Sequence, residues 1–336
     1  MTFSKRKIHA VSLSVLSLAV FSLTVLKAAP PAFSDPGVLS SPFEGLSIQA
    51  ISLYGSTDIL NRPEGLLPCR EGRPCLGGVV PHHGLAFPMI VRFYETLARG
   101  SLEGGAGIGR VFILSPDHFR QVRNHAAICP EDWGLSERVL KADSEAITAL
   151  SSLSIVEEMP GICSSEHGIT IHIPMTAAYF PQARVVPLLL NARIPDPALL
   201  TIRESMKSLF SNDTLLILSM DLSHYKTPEL MALEDEKTLP VLTGLRAYDT
   251  RNLDIDARRA AHLSLLLFRD EGAEEGIVTE HRDSTYFTGH RVESGTSYAS
   301  VLYPRSGRSK AEEPPESTAV SLVPILPNNP PNNPAQ

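Results

Sequence analysis

The residues of this chain best suited to chemistry are histidines that follow short apolar runs. Val79-Val80 leads into Pro81-His82-His83-Gly84, and Phe112-Ile113-Leu114 leads into Ser115-Pro116-Asp117-His118. Leu216-Ile217-Leu218 leads into Ser219-Met220-Asp221-Leu222-Ser223-His224. Neutral imidazole binds iron, copper, zinc or nickel, and a carboxylate adds charge to such a set. Two histidines and one carboxylate with open positions suit non-haem Fe(II) and activation of O2. The same donors around a bound water suit zinc-assisted hydrolysis. A further histidine beside the open position can serve as general acid or base, because its pKa lies near neutrality. A fourth segment, Ser165-Glu166-His167-Gly168-Ile169-Thr170-Ile171-His172-Ile173-Pro174, places two histidines and a glutamate before a helical stretch. There Glu166 and His167 could form a carboxylate–imidazole pair of the kind that orients a metal ligand. Plainer roles stand beside these. A histidine at a strand end is commonly a hydrogen-bonded loop residue, and Asp117 and Asp221 are of the type that caps helices and turns. Recurrence at three strand ends favours a ligand role for His82 and His118. His83 is expected in a loop role, because neighbouring side chains point apart, and His125, His262, His281 and His290 have no supporting context.

The elements that must bring these residues together are legible as patterns. Runs at 77–80, 111–114, 185–190 and 215–218 are continuously apolar, as expected of strands covered on both faces. Helical patterns lie at 88–97, where proline takes a tolerated first-turn position, and at 143–150, where Asp143 is a natural N-cap. Others occupy 196–210, 227–245 and 257–268, and residues 297–303 alternate as a late strand. This is an α/β pattern: a single compact domain over residues 46–304, with a mainly parallel mixed sheet flanked by helices. In open α/β sheets ligands bind beyond the carboxyl ends of the strands, so parallel strands would carry the histidines to one edge.

Together these segments resemble the Memo family, known in prokaryotes as AmmeMemoRadiSam system protein B. The resemblance rests on Pro81-His82-His83-Gly84-Leu85, on Phe112-Ile113-Leu114-Ser115-Pro116-Asp117-His118, on Glu166-His167-Gly168-Ile169-Thr170-Ile171-His172-Ile173-Pro174, on Ser219-Met220-Asp221-Leu222-Ser223-His224 and on Ser297-Tyr298-Ala299-Ser300. It implies a fold similar to that of the class III extradiol dioxygenases, the LigB-like group. It also implies metal ligation by His82 and His118, a base-like place for His224 with Asp221 beside it, and a site lined by His167 and His172. The family commonly draws a third ligand from a cysteine in a C-G-R segment. Here that stretch reads Asp254-Ile255-Asp256-Ala257-Arg258-Arg259, and Asp256 falls nearest the cysteine's place. A carboxylate there would restore a two-histidine, one-carboxylate set and make the site less attractive to Cu(I). Asp256 could equally cap the helix that begins at Ala257.

Composition bounds the function. A chain of 336 residues buries a sizeable core, and 43% hydrophobic with 20% charged residues is ordinary for a globular protein. A net charge of −7 and the lack of a basic stripe exclude nucleic acid as an expected partner. Ser4-Lys5-Arg6-Lys7 followed by an uncharged apolar run at 10–26 and Lys27-Ala28-Ala29-Pro30 is the pattern of an export segment over residues 1–29, either a cleaved signal peptide or a retained membrane anchor. Either places the body outside the cytoplasm, periplasmic or extracellular, where cysteines can pair. Cys69 and Cys75 bracket a short loop and are the best candidate bridge. Residues 30–45 have linker composition, and 305–336, rich in proline and asparagine, have too little apolar content to order. The expected cofactor is a divalent metal, with Fe(II) favoured over copper or zinc, and the expected partner is a small molecule. Three activities fit: a metal-dependent oxidoreductase, a non-catalytic metal- or partner-binding protein, and a zinc hydrolase.

Overall fold

The computed structural model describes residues 38–40, 69, 74–103, 107–135 and 138–306, all within the unit that runs from Pro36 onward. The segment at 1–29, read from the sequence as an export segment, and the stretch from 307 lie outside the described residues. The strands are β1 (Val38–Ser40), β2 (Cys75–Val80), β3 (Arg110–Pro116), β4 (Ala126–Ile128), β5 (Asp132–Gly134), β6 (Val139–Leu140), β7 (Val156–Glu158), β8 (Arg184–Leu190), β9 (Thr214–Ser219), β10 (His224–Lys226), β11 (Ile277–Asp283) and β12 (Gly295–Pro304). The α-helices are α1 (Phe87–Glu103), α2 (Ser144–Ser151), α3 (His167–Thr170), α4 (His172–Tyr179), α5 (Asp196–Leu209), α6 (Pro228–Thr243), α7 (Arg258–Asp270) and α8 (Ser284–Thr288).

The four apolar runs become the neighbouring parallel strands β2, β9, β3 and β8 at the centre of one mixed sheet, ordered β10-β12-β2-β9-β3-β8-β4-β7 with β11 also on β12. Their continuous hydrophobicity follows from burial on both faces. Phe112, Leu114, Leu216 and Leu218 pack with Ile147 of α2, Leu199 and Ile202 of α5 and Leu263 and Leu266 of α7. Val111, Ile113, Leu215 and Ile217 pack on the other side with Ile90, Phe93 and Leu97 of α1 and Ile173 of α4. Each such side chain taken fully from water stabilises the fold by about 1.5–3 kcal/mol. Asp143 caps α2 as its type suggests, accepting from the Ala146 amide at 3.0 Å.

Two features depart from the sequence reading. Val38–Ser40, within the stretch read as a linker, pairs in parallel with β5 in a small second sheet, β1-β5-β6. An otherwise open strand edge in β5 recruits this short apolar segment through main-chain pairing. The late strand does not alternate between core and solvent: β12 is buried along its whole length, because it lies between β2 and the outer strands β10 and β11 and contacts α6, α1 and α8. Among the described residues no helix is long and apolar enough to cross a membrane.

Cys69 and Cys75 are bonded as the sequence suggests, and Cys129 and Cys163 form a second disulfide. The second bridge ties the end of β4 to the 3-10 turn Ile162–Ser165, which runs directly into the segment carrying Glu166, His167 and His172. It closes a separation of 34 residues, so replacing both Cys129 and Cys163 with alanine is expected to cost up to about 4 kcal/mol. Urea unfolding measures this, and an unchanged midpoint would show that the bridge does not constrain the unfolded chain.

Candidate metal centre

The register of the central strands sets the site. Val80 pairs with Ser219, so two residues further on His82 and Asp221 stand level beyond the sheet edge. The His82 amide donates to Asp221 Oδ1 at 3.1 Å, and the Met220 amide donates to the Val80 carbonyl at 3.0 Å. β3 lies beside β9 and delivers His118 to the same edge. The loop before α7 delivers Asp256. The helix is capped at Ala257 without a side-chain bond, so Asp256 is not its cap; its carboxylate turns to the histidines instead.

Asp256 Oδ2 lies 3.0 Å from His82 Nε2 and 3.6 Å from His118 Nε2. The second nitrogen of each ring is engaged elsewhere. His82 Nδ1 meets Ser219 Oγ at 2.9 Å, and His118 Nδ1 meets Glu166 Oε1 at 2.6 Å. Glu166 Oε2 also accepts from the His118 amide at 3.1 Å. With Nδ1 of each ring engaged by a hydroxyl or a carboxylate, Nε2 is the atom turned to Asp256 and the one left to take a metal once its proton leaves; metal-binding imidazoles are oriented in this way. Among the described residues, two groups bring ligand atoms close enough to hold an ion: His82 with His118 and His167, and His82 with Asp221 and Asp256. The donor chemistry of these imidazoles and carboxylates fits a divalent metal.

The remaining site residues fall into distinct places. The His167 ring lies 4.0 Å from that of His118 and 5.0 Å from that of His82, on the exposed side of the cluster. The expected Glu166–His167 pair is the looser one, at 3.4 Å; Glu166 serves chiefly His118 and caps α3 through the Gly168 amide. Gly168 passes so close to Ser115 and Ser219 that a Cβ there would collide with the Ser115 hydroxyl. His172 is fully buried and reaches the cluster only through Ser219, which its Nε2 meets at 3.1 Å. His224 Nε2 lies 3.9 Å from Asp221 Oδ2, and its side chain is part-exposed. Asp117 has the turn role, accepting from the Gln121 and Val122 amides. His83 also has a loop role: its Nδ1 accepts from the Leu85 amide and meets the Tyr298 hydroxyl at 3.2 Å.

The electrostatics separate these groups. Burial works against the His118 cation, but the Asp256 and Glu166 carboxylates outweigh it and hold the imidazole up at about 9. Burial likewise opposes the His82 cation, and Asp221 and Asp256 together raise it. His167 is pushed down to about 4 by burial and by repulsion from His118 and His82. Burial, reinforced by His82, holds His172 well below the ordinary range. Of the two adjacent carboxylates, Asp221 is raised by burial and by its neighbour Asp256, whereas Asp256, although burial opposes its charge, is held low by His82 and His118. Asp256 is therefore the carboxylate that stays ionised, paired in the metal-free cluster with the His118 imidazolium.

Sequence reasoning did not find Ser219, whose hydroxyl lies between His82 and His172. The available signal was its place as the last residue of an apolar strand, level with the strand that leads to His82.

Residues 69–302 match the family described as Memo-like protein. A MEMO1 family protein of Ignicoccus hospitalis is 26% identical over 242 residues, covering 68% of this chain and 82% of that protein. MEMO1 family proteins of Pyrobaculum aerophilum and Methanopyrus kandleri are 23% and 24% identical, each over 72% of this chain and 88% of its own length.

Proposed function

This chain belongs to the Memo-like family, and from that premise we propose that it is a non-haem iron oxidoreductase, dioxygenase-like, acting on a small molecule outside the cytoplasm. The observation that carries the proposal is the donor set: two imidazoles, each fixed through Nδ1, with Nε2 turned to one ionised carboxylate. His82, His118 and Asp256 would hold the metal. Fe(II) held by three such donors would supply one-electron chemistry toward O2.

The chain's own residues do the rest. Ser219 and Glu166 fix the two rings. His224, part-exposed at the same edge, accepts and returns a substrate proton at Nε2, with Asp221 as its neighbour. His167, neutral at physiological pH, offers a second acceptor on the open side. The two disulfides and the basic-then-apolar N-terminus support a location outside the cytoplasm.

The test is O2 uptake by Fe(II)-loaded protein supplied with ascorbate or a panel of phenols. Turnover is expected to fall by about 10²–10⁴ in His224→Ala while iron is retained. Turnover of ester or phosphate substrates by the zinc-loaded protein without O2 would replace this reading with hydrolysis. Neither activity would leave a non-catalytic metal-binding protein.

A further inference from the structure

A second polar network lies behind the site, in a place where apolar side chains would fill the core more cheaply. Asp235 on α6 is 2% exposed, yet both of its carboxylate oxygens are engaged. Oδ2 meets His281 Nε2 at 2.7 Å, and Oδ1 accepts from the Ser297 hydroxyl at 2.8 Å. Ser297 Oγ lies 3.2 Å from Ser223 Oγ. A hydroxyl has one proton to give, and Ser297 gives its proton to Asp235, so Ser223 must be the donor to Ser297. The chain therefore has a fixed direction, from Ser223 through Ser297 to Asp235, with His281 entering Asp235 from the surface. Two main-chain bonds lock the same place: the Leu222 amide to the Ser297 carbonyl and the Ser297 amide to the Ser223 carbonyl, both at 3.0 Å.

Ser223 lies between Asp221 and His224. Asp221 in turn touches both halves of the metal centre. Its Oδ1 accepts from the His82 amide at 3.1 Å, and its own amide stands 3.3 Å from Asp256 Oδ1. Displacing residues 220–224 would thus move Asp221, and with it the alignment of His82 against Asp256. Buried polar chains of this kind rigidify when every member is satisfied and are costly when one is not.

We infer that Asp235 is a positioning residue: acting through Ser297 and Ser223, and held by His281, it fixes the loop that aligns Asp221, His82 and Asp256. The inference rests on the metal-centre reading above. Its direct readout is Co(II), used as a spectroscopic probe, titrated into the full chain and into Asp235→Asn, Ser297→Ala and Ser223→Ala. Ser264→Ala is the control, a buried serine on α7 whose hydroxyl has no hydrogen-bond partner among the described residues. Loss of the network is expected to weaken Co(II) binding by up to about tenfold, the low end of the range for direct partners of metal ligands, because the network reaches His82 and Asp256 only through the loop that carries Asp221, and to alter the d–d spectrum. The metal-free Ser223→Ala and Ser297→Ala proteins should melt below the control, since each orphans a buried partner, but should remain folded at the temperature of the titration. Binding and spectra unchanged in all three variants would overturn the positioning role and leave the metal centre standing. Weakened binding confined to protein that is already partly unfolded at the titration temperature would also overturn it. Wild-type protein that binds no Co(II) would overturn the metal centre itself and the inference with it.

Discussion

Replacing His118 with alanine is expected to weaken divalent metal binding by more than about a hundredfold while leaving the chain folded, because removal of outer partners alone costs ten- to a hundredfold and here a donor is lost. The fold should survive because Glu166 keeps its bonds from the His118 and Gly168 amides, both main-chain groups that alanine at position 118 retains. The stability cost should be about 1.5–3 kcal/mol, the scale of one charge-assisted hydrogen bond. His82→Ala should behave in the same way toward metal. His83→Ala should not, since its ring stacks on Tyr298 at 5.8 Å and its Nδ1 faces that hydroxyl and the Leu85 amide. Calorimetric titration of the three variants separates these outcomes. Equal loss at positions 83 and 118 would place the centre elsewhere, and no loss at 118 would remove that histidine from it.

Metal binding should also strengthen steeply with pH. A metal takes the Nε2 lone pair, so the His118 proton must leave first. That proton is held up to about 9, against an ordinary value of 6.5. Across that interval each pH unit is expected to raise the apparent affinity at least about tenfold, levelling off above 9. The metal-free protein should respond in the opposite sense. Because the folded value lies above the unfolded one, the stabilisation from His118 is complete below 6.5 and is lost as pH rises through about 9. The loss is on the order of 2 kcal/mol, reduced from the full shift because the ring is part-exposed. Thermal melting between these limits, with and without Zn(II), reads both effects: the metal-free midpoint falls while the stabilisation by metal grows. A flat metal affinity across the interval would show that no imidazolium is displaced.

Much of this arrangement was legible in the sequence. The four central strands announced themselves because burial on both faces demands unbroken apolar runs, and Val80, Leu114 and Leu218 end those runs just before the site. The convergence of His82, His118 and Asp221 followed from parallel strands alone. Weakly patterned elements were not legible. β11 carries Glu280, His281, Arg282 and Asp283 and is only part-buried, so its pairing with β12 left no hydrophobic trace. β4 and β7 are three residues each, too short for a periodic signal. At the site, sequence could not choose between cap and ligand for Asp256, because both roles place an aspartate just before a helix. The geometry removes the cap, since the carboxylate lies 3.0 Å from His82 and caps no helix; ligation remains our proposal. Nor could adjacency show that Glu166 grips His118, 48 residues away, more closely than its neighbour His167. The Asp235 network was hidden for the same reason, since Asp235, Ser297, Ser223 and His281 are brought together only by the packing of α6 on β11 and β12.

The central claim is that Asp256 completes a two-histidine, one-carboxylate centre with His82 and His118. Its most direct test is metal content after anaerobic loading with Fe(II) and desalting, in wild type and in Asp256→Ala. The predicted result is about one equivalent of iron per wild-type chain and less than about a tenth of that in the variant, because the imidazoles that remain, His82, His118 and His167, supply no anionic donor and hold Fe(II) too weakly to survive desalting. Equal iron in the two proteins would contradict the claim.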